Sequence, residues 1–246
     1  MKNKFKASLK IKCLEFLKDG KSKTTLFNNR KIDFKPEEET NKIDIFLKKK
    51  NSLEAREEAI EIIQKLNNLY LFKADSFLID EEINEENKII DLDRNKPVSV
   101  VSKSLRVKWN IEGREDLEGK EKILKLNFLE KYEKVKEKER LDKLLLIFGD
   151  AERVHNKEIK FLCFYKIISE FGKKEHEDVN EWLSKKFELD RNLKRIMKSN
   201  GKETKGTRPV LLRHAIMYDE KSGVTEGDLN NMKRYAKKYI KEEFKI

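Results

Sequence analysis

Cysteine is almost missing from this chain. There are two in 246 residues, Cys13 and Cys163, with no CxxC pair and no Cys/His ligand spacing. That excludes a disulfide scaffold and leaves no pattern for a structural metal site. Cys163 lies in the apolar run FLCFYKII and is expected to be a buried core residue. Proline (3) and glycine (9) are also scarce, in a Lys/Asn/Ile-rich composition of the kind an AT-rich genome produces. Such a bias sets residue choice without indicating function. Long apolar runs are missing too. The start, MKNKFKASLKIK, has no signal-peptide core, and no stretch approaches membrane-spanning length, so a cytoplasmic protein is expected. The chain has no GxGxxG, no GK[ST] phosphate loop and no GxSxG, which leaves nucleotide-driven and serine-hydrolase chemistry unsupported. No cofactor, no metal and no internal repeat are expected.

What the chain has is charge. Charged residues make up 42% against 37% apolar, close to a disordered composition, but 14 Phe, 6 Tyr and 2 Trp argue for a packed interior. The net charge is +11, and residues 191–246 hold 15 Lys and Arg against 7 Asp and Glu. A local surplus of that kind favours polyanions through phosphate contacts and counterion release. A lysine-rich solvated surface explains it equally well.

The first segment alternates. Phe5, Ala7, Leu9, Ile11 and Cys13 share one side, and Lys4, Lys6, Ser8, Lys10 and Lys12 the other. That is the period of a half-buried strand with a cationic outer face. NKIDIFLK repeats the theme with Ile43, Ile45 and Leu47, and FKPEEETN between them reads as a loop. NSLEAREEAIEIIQKLNNLYLF then switches to helical period, with Leu53, Ala59, Ile60, Ile63, Leu66 and Tyr70 on one face and Asn51/Glu54 resembling a capping box. SFLID, KPVSVVSKSLRVKWNIEG and KILKLNFL follow; the middle one alternates Leu105, Val107 and Trp109 against Arg106 and Lys108, as a strand exposed on one face would.

From about residue 120 the pattern is helical. EKYEKVKEKERLDKLLLIFGD is expected to stop at Gly149, and NKEIKFLCFYKIISEFGKK places Phe161, Phe164, Tyr165, Ile168 and Phe171 at helical spacing. That aromatic stripe follows a buried-face period and reads as core, not as a base-stacking platform. EDVNEWLSKKF adds Val179, Trp182, Leu183 and Phe187; RNLKRIMKSNG reads as a short basic helix and SNGKETKGT as a flexible segment. A helix from Pro209 and a last one in TEGDLNNMKRYAKKYIKEEF, with Thr225 as N-cap, close the chain. The expected fold is α+β: a small N-terminal sheet with one long helix over residues 1–118, then an all-helical bundle over 119–246.

One stretch, GTRPVLLRHAIMYDEKSGVTEGDL, carries candidate chemistry. Leu211, Leu212, Ala215 and Ile216 form a buried stripe, and Arg213 and His214 fall off it. His214 and Tyr218 are four apart and would stack on one face if the helix runs that far. The other histidines, His155 and His176, sit in charged contexts expected to be exposed, and Asp142, Asp150 and Glu152 have no metal-ligand partner in the sequence.

Three pieces, KFLCFYKIISEF, LLRHAIMYD and GVTEGDLNNMKRYAKKYI, make roughly residues 140–246 resemble a HEPN-type domain, a helical bundle of bacterial toxins and antiviral systems. More weakly, the first half resembles the domain that precedes such bundles in some bacterial defence-associated proteins. The family typically carries an arginine, a polar residue, three mostly apolar residues and a histidine before a loop and a last helix. Active members cut RNA without metal, using the arginine and histidine of paired subunits. The resemblance implies a catalytic set of Arg213, His214 and Tyr218. It also implies a homodimer or a protein partner; with the basic surplus, RNA contacts are expected from Arg195, Lys198, Lys202, Lys205, Arg208, Lys233 and Arg234, and no membrane is expected. His214 would be acid and base and Arg213 the phosphate clamp, with Arg208 a second cation.

Aligned on Arg213, however, His214 takes the family's polar position and Tyr218 stands where the histidine belongs. A phenol is a poor base at neutral pH. Arg208 and His214 fit a looser spacing, but Arg208 precedes the helix-starting proline. The expectation is an RNA-binding protein of a defence or toxin–antitoxin setting, with metal-independent ribonuclease activity as its catalytic form. A non-catalytic dimerisation module or accessory subunit is the alternative, and in it His214 borders a helix and Tyr218 packs under the loop.

Overall fold

The computed structural model describes residues 3–11, 20–36, 41–74, 88–94, 96–100, 126–170, 175–196, 203–218 and 223–246. They form an α+β protein of two compact units, Met1–Asp142 and Lys143–Ile246. The expected boundary at 118/119 and the segments SFLID and 101–113 lie outside the described residues.

The first unit is built on a six-stranded antiparallel sheet. Its strands are β1 (Asn3–Ile11), β2 (Lys23–Phe27), β3 (Arg30–Pro36), β4 (Asn41–Lys49), β5 (Lys88–Asp91) and β6 (Lys96–Val100), in the spatial order β2-β3-β4-β1-β5-β6. The alternation in β1 is realised: Phe5, Ala7, Leu9 and Ile11 are buried and pair across to Leu47, Ile45, Ile43 and Asn41 of β4. Directly opposed residues share a face, so one apolar layer runs through Phe27, Ile32, Phe34 and the β4 isoleucines.

The β2–β3 hairpin went unread in the sequence. Its two-residue turn, Asn28-Asn29, has φ of 52° and 58°, as a type I′ turn needs, and asparagine tolerates that region better than other side chains.

Helix α1 (Ser52–Ala74) packs against β1, β4, β5 and β6. Asn51 Oδ1 accepts from Glu54 N at 2.9 Å, and Glu54 reaches back to Lys50 N at 3.3 Å, close to the expected capping box. The buried stripe runs Ala55, Ala59, Ile62, Ile63, Leu66, Leu69 and Phe72. Leu53, expected on that stripe, is 59% exposed. It lies two residues, about 200°, from Ala55 and so on the opposite side of the helix. Helix α2 (Leu126–Glu133) lies against β2, where Tyr132 stacks on Phe27 at 5.0 Å.

Helix α3 (Lys138–Arg153) crosses the boundary between the units. Gly149 was expected to end it, yet the helix continues through Gly149 for another turn, because Phe148 and Ala151 on either side are fully buried and packing overrides a weak stop signal.

The second unit adds α4 (Lys157–Ser169), α5 (Glu175–Phe187), α6 (Arg208–Met217) and α7 (Glu226–Phe244). Phe161, Phe164 and Tyr165 are core, as their spacing predicted. Phe148 meets Phe164 at 5.4 Å, and Trp182 meets Tyr239 edge-on at 5.9 Å. Each such ring contributes roughly 1.5–3 kcal/mol by burial. Cys163 corrects an expectation: it is half-buried at the margin of α4's apolar face, and burial pushes its thiol up.

The expected basic helix in RNLKRIMKSNG is also corrected. Residues 193–196 form β7 (Leu193–Ile196), paired antiparallel with β8 (Glu203–Gly206). Here a nearby strand satisfies the backbone that helical bonds would otherwise have taken.

Candidate functional site

Helix α6 carries the motif residues, and both its ends are tied down. At its start, Asn180 of α5 accepts from the Thr207 backbone N–H at 2.8 Å and from the Thr207 hydroxyl at 2.9 Å. Pro209 sits in the first turn, where no N–H is missed. Gly206 lets Asn180 come this close: a Cβ there would stand 3.1 Å from its Nδ2. The buried side of α6 is Pro209, Val210, Leu211, Leu212 and Ala215. Ile216 is half-buried, so the expected stripe is present and shifted by one residue.

Arg208 is committed to structure. Its guanidinium donates through both Nε and Nη2 to the Asp228 carboxylate, the second bond at 2.9 Å. Asp228 is also the third residue of α7's capping box: it accepts from the Thr225 hydroxyl at 2.7 Å, while its own N–H donates to that hydroxyl oxygen at 3.2 Å. The Arg208 hydrogen bond is the main cause that holds the Asp228 carboxyl down at about 2, with Thr225 assisting against the cost of burial.

Arg213 and His214 diverge, as neighbours on a helix do at about 100° per residue. The Arg213 guanidinium lies 6.0 Å from the centroid of the Tyr165 ring of α4. His214 instead stacks on Tyr218, ring centroids 6.2 Å apart and planes within 5° of parallel. Tyr218 is the C-cap of α6, and its N–H donates to the His214 carbonyl at 3.1 Å. Tyr218 is 56% exposed and Met217 57%, so this end of α6 shows its ring and thioether to solvent. The structure brings together two of the three expected catalytic residues and sends the third elsewhere.

The expected RNA contacts are scattered. Arg195 and Lys205 lie on the β7–β8 hairpin, Lys205 exposed and Arg195 half-buried; Lys198 and Lys202 lie outside the described residues. Lys233 pairs at 2.8 Å with Glu152, whose side chain is almost wholly buried. Arg234 covers the rings of Phe187 and Tyr235 at 5.6 and 5.4 Å. His155 is exposed between α3 and α4, as expected. His176 lies on α5.

The acidic trio is accounted for by ion pairs. Asp142 accepts from the Tyr132 hydroxyl and pairs with Lys65 at 3.0 Å, Asp150 pairs with Arg153 at 2.9 Å, and Glu152 pairs with Lys233. Among the described residues no group of His, Cys, Asp and Glu could hold a metal ion, and no helix is long and apolar enough to cross a membrane. Asn180 and Asp228, which fix the position of α6, were missed in the sequence, although the T-x-x-D spacing of Thr225 and Asp228 was there to be read.

No protein-family model, no curated protein and no solved structure matches this chain.

Proposed function

We propose that the chain is a cytoplasmic RNA-binding protein with a HEPN-like C-terminal unit, of a bacterial or phage-related defence or toxin system. In this reading the end of α6 receives an RNA base. The observation that carries it is the parallel His214–Tyr218 stack, with the Tyr218 ring exposed and His214 half-buried beneath it. A stacked imidazole and phenol offer a flat surface for a base and an imidazole able to exchange a proton with the ribose. The cleaving form needs a cation at the phosphate, and Arg213 of the same α6 is turned to Tyr165. That supports a composite site, in which a second copy supplies the arginine.

The test uses fluorescently labelled single-stranded RNA in EDTA. Tyr218→Ala should weaken binding about tenfold with the fold intact. His214→Ala should abolish cleavage. Binding that neither substitution changes would end this reading, and binding without turnover would leave an accessory subunit. The alternative of a dimerisation module draws on the same exposed apolar atoms, Met217 above all. Under it the protein is a dimer in light scattering, Met217→Lys dissociates it, and RNA affinity is absent at low salt.

A further inference from the structure

The outer face of the first unit's sheet has a composition the core does not require. Residues 1–50 hold 15 Lys and Arg against 7 Asp and Glu, the same surplus as residues 191–246, and the register gathers much of it on one surface. The inner layer faces α1 and α2. The alternate positions point the other way, and cross-strand pairing fixes their neighbours. Lys4 stands opposite Lys48, Lys6 opposite Phe46, Ser8 opposite Asp44, and Lys35 opposite Lys42. Asp33 stands opposite both Asp44 and Thr24, and Leu26 opposite Lys31. Leu26 is 62% exposed at the β2 edge of this face, while Ser8 and Asp44 at its middle are buried.

Two directly opposed aspartates repel and need cations between them. They have them. Lys35 donates to Asp44 at 2.6 Å, the Ser8 hydroxyl donates to the same carboxylate, Lys6 approaches it at 3.9 Å, and Lys31 pairs with Asp33 at 3.4 Å. Burial pushes the Asp44 carboxyl up, and these partners outweigh it, so Asp44 sits below the ordinary value and stays ionised. Among the described residues, six lysines share this surface with two carboxylates, a local surplus of positive charge.

Phe46 is the second feature. It is an aromatic ring at a polar-phase position of β4, half-exposed on the lysine face, opposite Lys6 and with the Lys31 ammonium 4.9 Å from its centroid. The core cannot use it there, because Ile45 and Leu47 on either side already point inward. A ring among lysines on a sheet face is what single-stranded nucleic acid uses: the base stacks on the ring and the phosphates meet ammonium groups.

We infer that this sheet face is a second RNA surface: single-stranded RNA crosses it with a base on Phe46 and its phosphates along Lys4, Lys6, Lys31, Lys42 and Lys48. The surface stands on the residues of the first unit alone. Only the choice of RNA over DNA rests on the reading of the second unit. The charge complementarity selects a polyanion, and the ring selects one with unpaired bases.

The experiment is fluorescence anisotropy of the full chain with a labelled oligouridine of about 20 nucleotides, between about 50 and 200 mM KCl. Phe46→Ala should weaken binding about tenfold, and Phe46→Tyr should restore it to within about twofold. Replacing Lys4, Lys42 and Lys48 together by serine should lower the log–log salt slope by about 2, at roughly 0.7 per lost phosphate contact. Those three lysines lie outside the core, so the triple variant keeps the test open even if Phe46→Ala unfolds. Ultraviolet crosslinking should mark the peptide of β4. If these variants bind like wild type while Tyr218→Ala does not, the sheet inference falls and the α6 reading stands. If Tyr218→Ala binds like wild type and the sheet variants lose affinity, the reverse holds. A wild-type chain that ignores the oligonucleotide at low salt removes both. Equal affinity for the DNA strand of the same sequence, or preference for duplex, overturns the assignment to single-stranded RNA.

Discussion

The sheet face around Phe46 and the α6 end around His214 and Tyr218 both bring aromatic rings to the surface, but they do so by different routes. On the sheet, a period of two sends every second residue outward, so one ring stands among six lysines held by register. On α6, a spacing of four brings two rings together, while nearby arginines are engaged by the fold, Arg208 by Asp228 and Arg213 over Tyr165. One surface is rich in cations and poor in rings; the other is the reverse. Local positive charge in a sequence is therefore a poor guide to surface charge. Of the basic residues around α6, several serve the fold, and on the sheet Lys6, Lys31 and Lys35 likewise neutralise Asp33 and Asp44.

The largest effect should come from breaking the frame under one surface. Phe164→Ala empties a fully buried ring position beside Phe148 and should cost about 3–5 kcal/mol in urea denaturation. The loss of RNA contact should then be confined to the α6 end, with the salt slope owed to the sheet unchanged.

Asp228→Ala comes next. It removes the Arg208 pair and half of the α7 capping box together, for about 2 kcal/mol at pH 7 in the same assay. The Asp228 carboxyl is depressed, so its electrostatic contribution is complete above the ordinary value near 3.8 and disappears as pH falls through about 2. The gap between wild type and Asp228→Ala should accordingly narrow between those two values. A gap that is constant with pH would assign the loss to packing.

Gly206→Ala should cost about 1 kcal/mol, read as a lowered Tm, because the new methyl displaces Asn180 from its two bonds to Thr207. It tests whether α6 is positioned by this anchor.

The smallest effects on stability fall on the two surfaces themselves. Tyr218→Ala and Lys48→Ala should each stay within about 0.5 kcal/mol of wild type, since both side chains are exposed. In RNA titrations they should separate: Tyr218→Ala lowers affinity with the salt slope unchanged, and Lys48→Ala lowers the slope by about 0.7. Identical behaviour would erase the contrast between the two surfaces.

Legibility in the sequence followed the strength of the local signal. The alternation of Phe5, Ala7, Leu9 and Ile11 and the Thr225 cap before α7 needed only a few consecutive residues, and the structure repeats them. The i, i+4 relation of His214 and Tyr218 is equally local, and the rings stack. The misreadings arose where one residue was asked to decide. Gly149 did not stop α3, Leu53 did not join the buried stripe of α1, and RNLKRI paired as a strand. Phe46 was legible as an apolar residue in the polar phase of IDIFLK, and it passed unread because the alternation was used only to find a core.

The sequence by itself determined the period of each strand and helix, the caps, and which side of each element is apolar, because these depend on residues within a turn or a pleat of one another. Only the tertiary structure decided which cations are committed. Arg208 meets Asp228 twenty residues on, Lys233 meets Glu152, and Lys35 reaches Asp44 across a strand pair. Ion pairing depends on distance in space, and a chain that folds into a sheet and a bundle brings together charges that its linear order keeps apart.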